Sequence, residues 1–207
     1  MKIFNQTLKI GGYNNLHYFD PLQINSFVKL VDSFNKKAIP KIREIAFYNM
    51  LKNEKYDREG DVFLMKGANY SDIEKQSAIK LTKAGFYVVF PSKGQIKEIK
   101  TLENSTDARR NDIYIYDKKT YNQSKVDLKT VNSGSKKTIA AHILSGSGQA
   151  PVIALDIQSG TNRWNLIKGI RSGWGDDTKR ILLNWKGQWY QLDKNQVFGN
   201  YIETVIK

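Results

Sequence analysis

One segment of the chain is apolar at nearly every position: Pro151-Val152-Ile153-Ala154-Leu155-Asp156-Ile157. A strand with one solvated face alternates apolar and polar residues, whereas a nearly continuous apolar run is typical of a strand covered on both faces. We therefore predict a buried strand here, which requires neighbouring strands beside it and packing elements around it. Asp156, near the end of this strand, is expected to have a structural role.

Helix and strand patterns flank this buried strand in the sequence. Ser71 and Glu74 have the spacing of a capping box, and the helix that they begin is expected to stop at Gly85. Strands are predicted at 86–90, 113–116, 125–130, 180–185 and 188–192, the second and third forming a hairpin. Helices are predicted at 136–144 and 162–171. This order predicts an α/β fold with a mixed central sheet flanked by helices.

The N-terminal part of the chain has a helical pattern. Residues 22–52 carry apolar side chains at spacings of three and four, and Pro40 is expected to divide or kink this helix. A charged and polar stretch follows. We predict an N-terminal helical segment over 1–65, for which packing is preferred to delivery or dimerisation, and a second domain over 66–207.

The charge balance favours a polyanionic partner. The chain has 33 Lys and Arg against 20 Asp and Glu, a formal net charge of +13. Such a field attracts nucleic acid, although an acidic protein partner and simple solubility are also consistent with it. We expect a soluble chain, since it has neither an apolar run of about 18 residues nor a signal-peptide pattern. Met1 could nevertheless begin an excised domain.

The ligands available for a metal ion are restricted. Cysteine is absent, which excludes disulfides and thiolate zinc sites, and the chain has only two histidines. Any metal must be held mainly by carboxylates and carbonyls, which are the ligands of Mg²⁺ and Mn²⁺.

An acid-x-lysine triplet carries the candidate chemistry. In Asp127-Leu128-Lys129 the side chains two residues apart point to the same face of a strand. A carboxylate there can hold a divalent metal ion, and an adjacent ammonium can orient a water. Asp112 stands at the start of the preceding strand, and Glu74 on the helix before it.

This arrangement of a helix with an acid, then strands with an aspartate and an acid-x-lysine triplet, resembles the PD-(D/E)xK nuclease superfamily. Asn111-Asp112 stands at the Pro-Asp position, with asparagine in place of proline. Residues 71–198 are more closely similar to the C-terminal nuclease domains of bacterial contact-dependent growth inhibition toxins, several of which cleave transfer RNA. That likeness is carried by Leu81 to Val89, the two motif strands, and Gly148 to Asp156.

The resemblance implies a restriction-endonuclease-like sheet and a metal-dependent endonuclease that prefers transfer RNA or other structured RNA. Asp112 and Asp127 are the expected direct ligands of Mg²⁺ or Mn²⁺, with the Leu128 carbonyl as a further ligand and Glu74 holding a metal water or a second ion. Lys129 completes the catalytic set. A toxin would act in the cytoplasm of a target cell and would require a tight-binding, acidic immunity protein.

Other residues are auxiliary candidates. Gln149 leads into the strand after the hairpin, and His142 is a candidate proton donor. Lys136 and Lys137 begin a helix, where backbone amides also favour phosphate. A further nucleic-acid surface is predicted from cations and aromatic rings on one helix and its exit: Arg163, Trp164, Lys168, Arg171 and Trp174.

Four alternatives remain open. The same core can cut DNA, or the chain can be a module that binds nucleic acid without cleaving it. A third possibility is a metal-independent ribonuclease in which His142 and a lysine act as acid and base, using the 2′-hydroxyl of the substrate. A purely structural protein is the fourth.

Overall fold

The computed structural model describes residues 39–53, 55–92, 113–158 and 160–207. The chain forms two compact units, Met1–Lys55 and Tyr56–Lys207. In the first unit, helix α1 spans Ile39–Asn53 and has Pro40 in its first turn. Proline is tolerated there because the N–H that it lacks would have no partner within the helix. The predicted helical region before Ile39 lies outside the described residues.

The described residues of the second unit form one eight-stranded sheet, in which the strand order follows the chain order. Its strands are β1 (Tyr56–Glu59), β2 (Val62–Met65), β3 (Phe86–Phe90), β4 (Ile113–Asp117), β5 (Gln123–Val131), β6 (Val152–Ile157), β7 (Arg180–Trp185) and β8 (Gln188–Leu192). The helices in its described residues are α2 (Asp72–Thr82), α3 (Lys136–Ser147), α4 (Arg163–Gly173), α5 (Lys194–Phe198) and α6 (Tyr201–Val205).

The sheet is mixed. Strands β3, β4 and β5 form an antiparallel meander, whereas β5, β6 and β7 run parallel. The outer pairs β1–β2 and β7–β8 are antiparallel, and β2 runs parallel to β3. A mixed sheet flanked by helices is the predicted fold class, which is therefore confirmed. None of the helices in the described ranges is long and apolar enough to cross a bilayer.

Four elements were not predicted. Strand β1 is the charged segment Tyr-Asp-Arg-Glu at the edge of the sheet, where charged side chains are common because they discourage edge pairing. Its partner β2 is fully buried. The short helices α5 and α6 lie near the C-terminus, and α5 begins with a capping box between Asp193 and Gln196. The division into an N-terminal helical segment over 1–65 and a second domain over 66–207 stays a prediction.

The two faces of the sheet have separate cores. On one face, which we call the α2 face, Ala78 and Leu81 of α2 pack with Val126 and Leu128 of β5. On the other, the α3 face, helices α3 and α4 pack against the sheet. The α3-face core includes Ile139, Ile143, Ile153, Leu155, Leu166, Ile167 and Ile170. Because successive side chains of a strand point to opposite faces, residues 126 and 128 belong to one face, and 127 and 129 to the other.

Candidate functional site

Asp127 and Lys129 lie together on the α3 face. The Asp127 side chain is 0% exposed, and the Lys129 side chain is 19% exposed. The Lys129 Nζ donates a hydrogen bond to Asp127 Oδ1 at 2.8 Å. A buried carboxylate is stable only when it is paired or well hydrogen-bonded, and the adjacent ammonium provides a pairing charge. The structure thus brings these two candidate residues together, as the period of a strand requires.

Gly146, in the last turn of α3, lies directly against this carboxylate. A Cβ atom at position 146 would be 2.5 Å from Asp127 Oδ2, and 3.2 and 3.3 Å from two side-chain carbons of Ile153. Ile153 is also the register partner of Asp127 across the β5–β6 pair. The sequence predicts a helix that ends at Leu144, but the helix continues to Ser147.

His142 precedes Gly146 by four residues, and so the two lie on the same side of α3. Its imidazole is half-buried. Burial lowers the pKa of His142, and the positive charge of Lys129 lowers this pKa further, while the negative charge of Asp127 partly opposes both effects. The imidazole is therefore neutral at neutral pH and electrostatically coupled to both members of the Asp127–Lys129 pair.

Gln149 lies in the short connection between α3 and β6. Its backbone N–H donates to the carbonyl of Gly146 at 2.8 Å, and the N–H of Ala150 donates to the same carbonyl at 3.0 Å. The residue is half-buried. Both hydrogen bonds are accepted by Gly146, so the residue that lies against Asp127 also fixes the start of this connection.

Asp112 lies outside the described residues. Its chain neighbour Ile113 begins β4 and is the register partner of Val126, which is the chain neighbour of Asp127. The role of Asp112 stays a prediction.

Glu74 has the capping role that its spacing indicates. Its carboxylate accepts hydrogen bonds from the backbone N–H and the hydroxyl of Ser71 at 2.6 and 2.8 Å, and the Ser71 hydroxyl accepts from the Glu74 N–H. Helix α2, which carries Glu74, covers the face opposite to the one toward which Asp127 points. Its assignment to a metal centre with Asp127 stays a prediction.

The donors near Asp127 are of the type that Mg²⁺ takes, but the described ones do not form a full set. Within the ranges that the structure describes, no group of three or more histidine, cysteine, aspartate and glutamate side chains is placed to hold a metal ion. Asp127 supplies one carboxylate. Leu128, whose backbone carbonyl is the further predicted ligand, is the register partner of Ala154 in the parallel β5–β6 pair. Oxygen ligands are of the type that Mg²⁺ and Mn²⁺ take, and the predicted metal centre with Asp112 stays a prediction.

A second buried carboxylate, on the α2 face, has an extensive set of donors. Asp156 of β6 is 0% exposed. It accepts hydrogen bonds from Ser77 at 2.7 Å, Lys80 at 3.0 Å, Gln158 at 2.5 Å and Asn184 at 2.8 Å. These donors come from α2, from the residue after β6 and from β7. Ser77, Lys80 and Asn184 are 79, 76 and 28 residues from Asp156 in the chain, so sequence reasoning missed this network.

The two predicted arginines hold the C-terminal segment. Arg163 donates to the backbone carbonyl of Glu203, and its guanidinium lies 4.9 Å from the centre of the Trp164 ring. Arg171 donates to the carbonyls of Val197 and Gly199 and forms a 2.9 Å ion pair with Glu203. These contacts give both side chains a structural function, and a phosphate-binding function for them stays a prediction.

The predicted lysines are available to solvent. Lys136 and Lys137 are exposed at the start of α3, and Lys168 is exposed on α4. Exposed ammonium groups on two adjacent helices suit the backbone of a polyanion, without selecting among polyanions.

Comparison with known proteins gives one structural similarity. No protein-family model matches the chain, and no curated protein is similar enough to match it. Among solved structures, the chain is similar to a CdiA-CT/CdiI toxin and immunity complex from Burkholderia pseudomallei, at 21% sequence identity and a TM-score of 0.41. The match covers 58% of this chain and 82% of that chain. A TM-score of this size does not show a shared fold.

Proposed function

We propose that this chain is a metal-dependent nuclease that acts as a bacterial toxin domain on transfer RNA or other structured RNA. The observation that carries the proposal is the buried Asp127–Lys129 pair, whose atoms are 2.8 Å apart on a central strand. It agrees with the resemblance of the sequence to the PD-(D/E)xK superfamily. The preference for RNA comes from the resemblance to growth-inhibition toxins alone.

Asp127, together with Asp112, would hold the metal ion. A bound Mg²⁺ or Mn²⁺ supplies charge stabilisation on the scissile phosphate and a water of lowered pKa. The Asp127 carboxylate is buried between β5 and α3, so its position is defined by packing on both sides. Such restraint is what a catalytic group needs, because a small misplacement of a reacting group costs a large factor in rate.

Lys129 is proposed to orient the attacking water and to offset charge that develops on the phosphate. Its ammonium is hydrogen-bonded to Asp127 and remains partly accessible, which allows it to contact both the carboxylate and a substrate. A fixed cation in a site that excludes bulk water acts more strongly than the same cation in solution. His142, which is neutral near pH 7, is the candidate for accepting or delivering a proton.

The basic surface accounts for substrate capture and for the proposed partner. A net charge of +13 accelerates encounter with RNA, and the exposed lysines of α3 and α4 provide phosphate contacts. The same charge favours an acidic immunity protein in the producing cell.

The test is an incubation of the purified protein with total RNA and, separately, with plasmid DNA, in Mg²⁺ or in chelator. Wild type is compared with Asp127→Asn and with Asp176→Asn, which removes the same charge from an exposed position. We expect RNA cleavage that requires Mg²⁺, is lost in Asp127→Asn and is retained in Asp176→Asn.

Each other outcome has a defined meaning. Cleavage of DNA alone would replace the substrate class. Cleavage that survives both chelator and Asp127→Asn would overturn the metal centre and favour His142 as the base. Binding without cleavage of either polymer would favour a non-catalytic module, whose affinity should fall steeply with salt.

A further inference from the structure

We propose that Gly146 is a positioning residue for the candidate catalytic carboxylate: the absent side chain at 146 defines where the Asp127 carboxylate sits. The inference rests on the proposed function, since it assigns Asp127 to the metal centre. Gly146 itself contacts no substrate in this proposal and acts only through Asp127.

The steric argument comes from the packing of α3 on the β5–β6 pair. A methyl group at 146 would lie 2.5 Å from Asp127 Oδ2, closer than side-chain carbons approach other atoms in proteins. It would also be 3.2 and 3.3 Å from Ile153, which lies beside Asp127 in the sheet. The position of this methyl group is fixed by the backbone, so either the Asp127 carboxylate or helix α3 must move to accommodate it.

Local stability does not explain the glycine. Gly146 lies within α3, and glycine is less favourable than alanine at such a position because it loses more backbone freedom on folding. A close approach by a neighbouring group is the usual reason for glycine in a helix, and the group that approaches here is the Asp127 carboxylate.

The same residue also sets the start of the connection to β6. The Gly146 carbonyl accepts the backbone N–H groups of Gln149 and Ala150. A displacement of α3 at Gly146 would therefore be transmitted to Gln149, the predicted auxiliary residue, as well as to Asp127.

Two other helical glycines provide a matched control. A Cβ at Gly169 would be 2.8 Å from Ile139, and a Cβ at Gly173 would be 2.7 Å from the Ala140 carbonyl. Both glycines belong to α4 and allow it to pack closely on α3. Their replacement by alanine disturbs a helix pair without placing a methyl group against Asp127.

The first measurement is Mn²⁺ binding by calorimetry, without substrate, for wild type, Gly146→Ala and Gly173→Ala at a temperature at which all three are folded. We expect both variants to melt at lower temperature. Only Gly146→Ala should weaken Mn²⁺ binding, by about tenfold or more, as is typical when support for a metal ligand is lost. Equal Mn²⁺ affinity in the two variants would overturn the proposal.

A double-mutant cycle tests the contact without any metal. Gly146→Ala is introduced into wild type and into Asp127→Ala, and the urea midpoint of unfolding is measured for all four proteins. We expect a smaller loss of midpoint in the Asp127→Ala background, because the clashing oxygen is gone. An equal loss of urea midpoint in both backgrounds would refute the contact. This test also applies if Gly146→Ala is too unstable for the calorimetric measurement.

The two measurements separate the inference from the proposed function. A wild type that binds no Mn²⁺ and cuts no nucleic acid would refute the metal-dependent nuclease, and with it the catalytic meaning of Gly146. The cycle would still show whether Gly146 and Asp127 constrain each other.

Discussion

Asp127 and Asp156 are two fully buried aspartates on adjacent parallel strands, and they differ in how each acquires its cation. Asp127 is paired with Lys129, two residues along the same strand. Asp156 is paired with Lys80, which is 76 residues away in the chain and reaches it from α2. The first pair lies on the α3 face and the second on the α2 face.

The two pairs depend on different parts of the fold for their geometry. Residues two apart in a strand share a face whenever the strand forms, so the Asp127–Lys129 pair requires little beyond β5 itself. The donors of Asp156 come together only when α2 and β7 are docked on β6. We therefore assign Asp156 to holding the fold together and Asp127 to the proposed chemistry.

The largest expected effect is on activity and separates the two carboxylates. Asp127→Asn should reduce Mg²⁺-dependent cleavage of RNA by at least about a hundredfold, the scale on which a single electrostatic contributor to catalysis acts. Asp156→Asn should retain most of the activity of the folded fraction. Initial rates, corrected for folded protein by circular dichroism, check this. Comparable losses in both variants would break the functional distinction.

The next effect is on stability, and here the Asp156 variant is expected to lose more than the Asp127 variant. Asp156→Ala should lower the free energy of unfolding by about 2–4 kcal/mol, because the buried Ser77 and Asn184 donors and the Lys80 ammonium, which is 38% exposed, lose their acceptor. Asp127→Ala should lose less, because Asp156 also accepts hydrogen bonds from the buried Ser77 and Asn184, so its removal weakens the docking of α2 and β7 on β6. Urea unfolding of both variants measures the difference, and a greater loss for Asp127→Ala would contradict it.

The lysines extend the same comparison. Lys80→Met should cost about 1–3 kcal/mol of stability, because Asp156 keeps its neutral donors but loses its pairing charge. Lys129→Met should instead reduce cleavage strongly at a temperature where the variant remains folded. Activity and urea unfolding, both measured on each variant, show whether Lys80 acts on stability and Lys129 on cleavage. Activity that survives in Lys129→Met would remove that residue from the proposed chemistry.

The smallest effect concerns a third aspartate, Asp117, the last residue of β4, which precedes the turn to β5. Burial raises the pKa of Asp117, but hydrogen bonds from the Thr120 N–H and hydroxyl and from the Lys119 N–H lower it by more, so the pKa lies below 3.8. The folded protein therefore binds this proton less readily than the unfolded chain. Its contribution to stability is complete above pH 3.8 and is lost as the pH falls through the folded pKa.

Asp117→Ala should accordingly cost on the order of 1 kcal/mol at pH 7, as expected for the loss of turn hydrogen bonds. The difference in the free energy of unfolding between wild type and variant should become smaller when the pH falls below 3.8. Urea unfolding at pH 7 and at pH 3 measures both quantities. If this difference in the free energy of unfolding is unchanged at pH 3, the carboxylate charge does not stabilise this turn.

Signals with a short range in the chain were sufficient for much of the fold. The capping box of Ser71 and Glu74, the apolar run of β6 and the shared face of Asp127 and Lys129 all follow from periodicity within a few residues. Each depends on backbone geometry that is the same in any helix or strand, and so these features were predictable before the folded chain was known.

Features that join distant segments were not predictable in this way. The donors around Asp156, the Gly146 contact with Asp127 and the engagement of Arg171 by the C-terminal segment each depend on which elements dock on which face. The strand β1 also escaped prediction because its charged residues form a strand only beside β2. Periodicity states which side chains share a face, whereas packing between remote segments sets what covers that face and how closely.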